Sequence, residues 1–151
     1  MIKKSIILLT VAVGFLSCGS ERLASEKEST SGTLAEETAG AAIVESIEGQ
    51  QAKGLLEERK GLIILDVRTQ KEYDAGHVKD ALHIDFYSPK FSQHLLALDP
   101  DKTYMVYCAV GGRSKKAVDM MAEMGFKQLY EVSEGYAGLK DAGVPVVANQ
   151  K

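Results

Sequence analysis

Two short runs of consecutive apolar residues constrain the fold more than any other feature of the sequence. LIILDV spans residues 62–67 and YMVYC spans residues 104–108. A short run that is apolar on both faces is typical of a strand buried inside a parallel sheet. Because parallel strands are joined by crossover connections that are usually helices, the two runs predict an α/β domain.

The segments around these runs fit the same architecture, since residues with helical spacing alternate with short apolar stretches. Glycine or proline follows most of the predicted helices, as expected where helices end. The predicted elements are a strand at 43–47, a helix at 49–59, a strand at 62–67, a helical turn at 70–76, a strand at 81–84, a helix at 91–98, a strand at 104–108, a helix at 111–125 with its C-cap at Gly125, a strand at 128–133 and a helix at 136–142.

Length and charge narrow the range of functions. A chain of 151 residues with 45% hydrophobic content holds one ordinary domain, or a smaller domain with appendages. The 18 basic residues do not exceed the 21 acidic ones, so no positive surplus favours nucleic-acid binding. The two cysteines are too few for a disulfide framework or a four-thiolate zinc site, so any cysteine chemistry must use single thiols.

The N-terminus has the pattern of an export signal. Two lysines precede an apolar run from Ile6 to Leu16, which suits a signal peptide and is short for a membrane span of roughly 20 residues. Cys18 follows the run directly and resembles the lipidated cysteine of bacterial lipoproteins, although Phe15, Leu16 and Ser17 depart from the usual lipobox. The resemblance implies a signal peptide at residues 1–17 and a lipid on Cys18.

Residues 18–42 are rich in Ser, Thr, Gly, Ala and Glu and contain few large apolar side chains. Such a composition buries too little apolar surface to offset the entropy of ordering, so this segment is predicted to be a flexible tether. The folded domain is then expected at 43–148, with a short tail at 149–151. The lipid would hold the protein outside the cytoplasm, in the bacterial cell envelope on the periplasmic side of the inner or outer membrane.

Cys108 stands at the carboxyl end of a predicted central strand, directly before the predicted start of a helix. Ligands of α/β sheets bind at this edge, and helix N-termini offer free amides to anions. Gly111 and Gly112 allow the intervening backbone to curl around the thiol, and Arg113 adds a positive charge. These neighbours are expected to lower the thiol pKa from about 8.5 and to make Cys108 a nucleophile.

Three segments in this order resemble one family. CAVGGRS at 108–114 is similar to the active-site loop of rhodanese-like sulfurtransferases, LDVRTQKEYDAGHVKDALHI at 65–84 to an upstream signature, and EGYAGLKDAGVPV at 134–146 to the closing helix. The resemblance covers about residues 43–148. It implies a three-layer sandwich in which helices cover both faces of a central, mainly parallel, five-stranded sheet.

The closing segment departs from the family pattern at two positions. Glu134 replaces a usual glycine, and Leu139 replaces a usual tryptophan. We expect the loss of tryptophan to affect packing rather than chemistry. The carboxylate of Glu134 is expected near the active loop, where it would raise the pKa of the thiol or repel anionic donors.

The resemblance also implies a reaction. Cys108 would attack the outer sulfur of a donor anion such as thiosulfate, hold it as a persulfide, and pass it to cyanide, a small thiol or a protein acceptor. Arg113 would attract the donor, and no metal or organic cofactor is implied. The backbone amides of the loop would stabilise the persulfide anion, at Ala109, Val110, Gly111, Gly112, Arg113 and Ser114.

Four residues of the upstream signature are assigned supporting roles. Asp66, Arg68 and Glu72 are expected to serve mainly structure, with Arg68 paired to an acid at a strand end or, alternatively, lining the pocket. His77 is interpreted as a hydrogen-bonded packing residue of a loop rather than a catalytic base. His83 and His94 show no spacing that suggests a metal site.

Two other readings stay open. Phosphatases and arsenate reductases use a Cys-x5-Arg loop, whereas the spacing from Cys108 to Arg113 is one residue shorter and better suits a single sulfur atom than a phosphate. Alternatively, the domain acts as a sulfur carrier, or as a thiol-based redox sensor or interaction module, with little turnover.

Overall fold

A computed structural model describes residues 41–148 of the chain. The predicted signal peptide at 1–17, the predicted lipidation site Cys18, nearly all of the predicted tether and the tail at 149–151 therefore lie outside the described residues. Among residues 41–148, no helix has both the length and the apolar character needed to cross a membrane.

The described elements follow the predicted alternation of strands and helices. In chain order they are β1 (Ile43–Ile47), α1 (Gly49–Glu58), β2 (Ile63–Asp66), α2 (Gln70–Ala75), β3 (His77–Val78), β4 (Leu82–His83), α3 (Phe91–Leu96), β5 (Thr103–Tyr107), α4 (Gly112–Glu123), β6 (Gln128–Val132), α5 (Gly135–Asp141) and β7 (Val146–Val147).

The central sheet has five strands in the order β1-β6-β5-β2-β4, and every pairing in it is parallel. The apolar runs that predicted buried strands form its interior strands β2 and β5. The sequence did not indicate a second, antiparallel sheet of β3 and β7. Each of those strands has two residues, too few for any alternation of apolar and polar side chains to be recognised.

Alternate residues of the central strands pack on opposite faces of the sheet. Leu65, Val106 and Leu129 pack with side chains of α3 and α4, such as Leu95 and Met121. On the other face, side chains of the central strands (Met105, Tyr130 and Val132) pack with Ala52 of α1 and Leu139 of α5. The protein is therefore a three-layer α/β sandwich, and the predicted architecture is confirmed.

The C-cap of α4 differs by one residue from the prediction. The C-cap is Met124, and the predicted Gly125 is the next residue. Met124 N–H still donates to the carbonyl oxygen of Met120 at 3.0 Å, which keeps Met124 within the last helical turn.

Candidate active site

Cys108 directly follows the last residue of β5, the middle strand of the sheet, and its residue exposure is 1%. The chain then turns through a short loop into α4. Tyr136 N–H donates to the carbonyl oxygen of Cys108 at 2.7 Å, which ties the start of this loop to α5. The backbone at Cys108 is therefore held by the sheet on one side and by a neighbouring helix on the other.

Two glycines allow the loop to pack closely against the turn that follows β6. Gly111 has a φ of 90°, and a Cβ at this position would collide with the carbonyl oxygen of Ser133. Gly135 has a φ of 59°, and a Cβ there would lie 2.5 Å from the carbonyl oxygen of Ala109. Side chains at both positions would force the loop away from the sheet.

Opposing effects act on the thiol of Cys108. Burial raises its pKa, but hydrogen bonds from the Ser114 hydroxyl and from the amides of Ser114, Val110 and Arg113 lower it below the ordinary value for cysteine. Ser114 Oγ lies 3.6 Å from Cys108 Sγ. The geometry thus favours the thiolate, the reactive form of a cysteine.

Arg113 lies in the first turn of α4, and Glu72 of α2 holds its guanidinium. Nη1 and Nη2 of Arg113 donate to the two carboxylate oxygens of Glu72 at 2.8 and 2.7 Å. These bonds, with smaller contributions from Thr69 and against the effect of burial, lower the pKa of Glu72 to about 2. The same pair raises the pKa of Arg113, and the charge of Cys108 contributes to that increase.

Glu72 therefore has two roles, of which the sequence predicted only the structural one. It completes a capping box with Thr69 at the start of α2, which is a structural role. It also orients an arginine that interacts electrostatically with the thiol, which places it beside the reactive loop.

Comparison with known families gives a consistent result. The family model for the Rhodanese-like domain matches residues 48–142. This range includes the thiol loop and the helices α4 and α5. The chain belongs to the rhodanese-like domain family.

Two curated relatives are named "Thiosulfate sulfurtransferase GlpE". The one from Coxiella burnetii is 31% identical over 81 residues, which cover 54% of this chain and 74% of that protein. The one from Pseudomonas syringae pv. syringae is 30% identical over 87 residues, covering 58% of this chain and 78% of the relative.

Solved structures resemble the rhodanese-like domain as a whole. A rhodanese-like domain protein from Staphylococcus aureus superposes with a TM-score of 0.59 at 29% identity, covering 67% of this chain and 96% of that one. A rhodanese-related protein from Thermoplasma volcanium gives 0.60 at 27% identity, covering 68% and 97%.

Asp66 and Arg68 of this rhodanese-like domain form a buried ion pair. Arg68 pairs, as predicted, with an acid at a strand end, because Nε and Nη2 of its guanidinium donate to Asp66 at 2.6 to 3.0 Å. Nη2 also donates to the carbonyl oxygen of Gly76, and the guanidinium carbon lies 4.0 Å from the centre of the Tyr136 ring. With Nε and Nη2 engaged and 4% exposure, Arg68 packs in the interior.

His77 is a packing residue, but it lies in β3 and not in a loop. Its Nδ1 is 2.9 Å from the carbonyl oxygen of Tyr73, and its ring stacks on the Tyr73 ring with 3.7 Å between centroids. His83 also contacts the backbone, because its Nε2 lies 2.9 Å from the carbonyl oxygen of Arg68. In residues 41–148, no group of three or more His, Cys, Asp or Glu side chains is arranged to hold a metal ion.

The two departures from the family pattern are accommodated differently. Leu139 of α5 is completely buried and packs in the core between this helix and the sheet. Glu134 has a φ of −86°, which needs no glycine, and its carboxylate accepts the N–H of Gly49 at 2.8 Å. This carboxylate serves the start of α1, and the hydrogen bonds that lower the pKa of Cys108 come from Ser114, Val110 and Arg113.

Sequence reasoning missed one acidic residue at the site. Glu131 lies in β6 with 6% exposure, and its Oε1 accepts a hydrogen bond from Ser114 Oγ at 2.7 Å. Its Oε2 accepts another from Ser46 Oγ at 2.9 Å. The signal was present, because an acid interrupts the apolar pattern QLYEV of a strand that is otherwise predicted to be buried.

Proposed function

We propose that this rhodanese-like protein transfers sulfane sulfur from thiosulfate or a similar donor to a thiol or to cyanide, through a persulfide on Cys108. The sulfurtransferase family supports the class of reaction, and two relatives carry the name of a thiosulfate sulfurtransferase. The single observation that carries the proposal is the convergence of three backbone amides and a hydroxyl on a thiol whose pKa is lowered.

In the first step, the Cys108 thiolate attacks the outer sulfur of thiosulfate. An S–S bond forms between the enzyme and this sulfur, the S–S bond of thiosulfate breaks, and sulfite leaves with the bonding electron pair. The persulfide retains one negative charge on its outer sulfur. The amides of Val110, Arg113 and Ser114 then serve the role of an oxyanion hole for this sulfur anion.

In the second step, an acceptor attacks the outer sulfur of the persulfide. With cyanide the products are thiocyanate and the free Cys108 thiolate, and with a thiolate they are a new persulfide and the same free enzyme. No electrons are gained or lost overall. The amides that stabilise the thiolate make Cys108 a good leaving group in this step.

The test compares two cysteine variants of the full-length chain purified in detergent. With thiosulfate and cyanide, wild type and Cys18→Ser are expected to produce thiocyanate at similar rates, whereas Cys108→Ser produces none. With thiosulfate alone, mass spectrometry of the tryptic peptide Thr103–Arg113 is expected to show the addition of one sulfur atom. Equal thiocyanate production by Cys108→Ser, or no persulfide on this peptide, would refute the proposal.

A sulfur-carrier role is the second candidate, and a particular contact favours it. Because both terminal nitrogens of Arg113 donate to Glu72, fewer of its donors are free for the sulfonate group of thiosulfate. A carrier would form the persulfide from an organic persulfide and release it to a protein thiol, with slow thiocyanate production. Hydrolysis of an aryl phosphate that depends on Cys108 would instead support the phosphatase class.

We also propose that the domain is exported and anchored by a lipid on Cys18, which would place its sulfur chemistry at the envelope of a bacterium. The apolar run before Cys18 supports the proposal. Cells fed an alkyne-labelled fatty acid are expected to label wild type but not Cys18→Ser, and only wild type should sediment with membranes. Equal labelling and equal sedimentation of the two forms would exclude the anchor.

A further inference from the structure

Three side chains form a continuous chain of contacts behind the reactive loop. Ser114 Oγ lies 3.6 Å from Cys108 Sγ, 2.7 Å from Glu131 Oε1 and 2.8 Å from the carbonyl oxygen of Gly111. Ser114 is completely buried, and Glu131 is 6% exposed. Cys108 and Glu131 are therefore linked through one hydroxyl that bulk water does not reach.

The hydroxyl of Ser114 has a single proton for these three acceptors. It stabilises the thiolate of Cys108 only while this proton points toward the sulfur. A carboxylate at 2.7 Å is the strongest and nearest of the competing acceptors, and hydrogen bonds to ionised oxygens exceed neutral ones in strength. Whenever this hydroxyl donates to Glu131 instead of Cys108, the lone pairs of Ser114 Oγ face the thiol and accept from its S–H, which favours the neutral thiol.

We propose that Glu131 is a positioning residue that controls, through the hydroxyl of Ser114, how readily Cys108 loses its proton. The loop amides favour the thiolate, and Glu131 opposes them by competing with Cys108 for the hydroxyl proton of Ser114 and by placing a negative charge behind the thiol. This opposition has a use in sulfur transfer. The nucleophilicity of a thiolate falls as the acidity of the thiol rises, so an attacking cysteine works best when its pKa lies near the ambient pH.

The other charged groups near Cys108, Ser114 and Glu131 already have partners. Arg113 of α4 faces Cys108, and its partner is Glu72 of α2. Asp66 at the end of β2 pairs with Arg68, and Glu134 accepts from the start of α1. From β1, the neutral Ser46 donates to the second carboxylate oxygen of Glu131. The same charged groups stay in place when Glu131 is replaced by a neutral residue, so a change in thiol acidity is attributable to that substitution.

The test is the pH dependence of Cys108 alkylation by iodoacetamide in the full-length chain, read on the peptide Thr103–Arg113. Glu131→Gln removes the charge while retaining the shape, and it is expected to move the midpoint of the curve down by about one pH unit. Below both midpoints, alkylation then becomes about tenfold faster. The inference rests on the proposed function only in taking Cys108 as the reacting thiol, and alkylation reports thiol acidity whether or not sulfur is transferred.

Two further variants test whether Glu131 changes the acidity of Cys108 through the hydroxyl of Ser114 or by another route. Ser46→Ala removes the other hydrogen bond of the same carboxylate and is expected to leave the midpoint in place. In a Ser114→Ala background, Glu131→Gln is expected to move the midpoint less than half as far, because the charge then acts only across space. An unchanged or raised midpoint in Glu131→Gln, or a shift of equal size without the hydroxyl, would overturn the inference. If Glu131→Gln does not fold, Glu131→Met replaces it with the same expected direction.

Discussion

The domain contains two arginine–carboxylate pairs near the carboxyl ends of its central strands, and they differ in what surrounds them. In the inner pair, Arg68 and Asp66 are 4% and 0% exposed. In the outer pair, Arg113 and Glu72 are 17% and 34% exposed. Both arginines contact both oxygens of their partner, Arg68 through Nε and Nη2 and Arg113 through Nη1 and Nη2, so both pairs are bidentate.

The difference lies in what each guanidinium faces. Arg68 donates to the Gly76 carbonyl and lies over the ring of Tyr136, so its surroundings are internal groups of the fold. Arg113 interacts electrostatically with the Cys108 thiol, and its guanidinium lies 5.7 Å from the Tyr87 ring, whose residue is 68% exposed. The same chemical pair therefore packs in the interior at one position and lies beside the thiol at the other.

The largest expected effect is the loss of the inner arginine. Arg68→Met leaves Asp66 buried without its counter-charge, and breaking a buried pair in this way costs about 3 to 5 kcal/mol of folding free energy. Urea unfolding followed by circular dichroism measures this change. The double variant Asp66→Asn with Arg68→Met is expected to be less destabilised than Arg68→Met alone. A loss below about 1 kcal/mol would place the inner pair in the class of exposed pairs.

Loss of the outer arginine is expected to affect reactivity more than stability. Arg113→Met should lower kcat/KM for thiosulfate about tenfold, which corresponds to about 1.4 kcal/mol of transition-state stabilisation. The unfolding free energy should fall by no more than about 1 kcal/mol. Arg113→Lys keeps the charge without the forked geometry and should give an intermediate rate. A loss of stability as large as that of Arg68→Met would erase the distinction between the pairs.

The contrast also explains which features the sequence could predict. The apolar runs at 62–67 and 104–108 predict strands because buried parallel strands need apolar residues on both faces, and the thiol loop is recognisable because its residues are contiguous. Glu72 is 41 residues from Arg113, and Glu131 is 17 residues from Ser114. Only the order of the strands and helices in space brings these partners together, so no local pattern could show which residues pair.

A smaller effect is expected from the acidic partner of the outer pair, and it depends on pH. The folded-state pKa of Glu72 is about 2, below the value of about 4.3 in an unfolded chain. Its stabilisation is therefore fully present above about pH 4.5 and is lost as the pH falls toward 2. Glu72→Gln should cost about 1 kcal/mol at pH 7, and urea unfolding should show this difference shrinking as the pH drops from 5 to 3. A difference that stays constant with pH would exclude the ion pair as its cause.

Salt is expected to give the smallest effect and to separate the two pairs most directly. Screening acts on charges that water reaches and much less on buried ones. A double-mutant cycle with Glu72→Gln and Arg113→Met should lose a few tenths of a kcal/mol of coupling between low salt and about 1 M salt. The corresponding cycle for Asp66 and Arg68 should keep its coupling, because both side chains lie in the interior. Equal salt sensitivity of the two cycles would mean that solvent reaches both guanidinium groups, and the distinction between the buried arginine and the arginine beside the thiol would then fail.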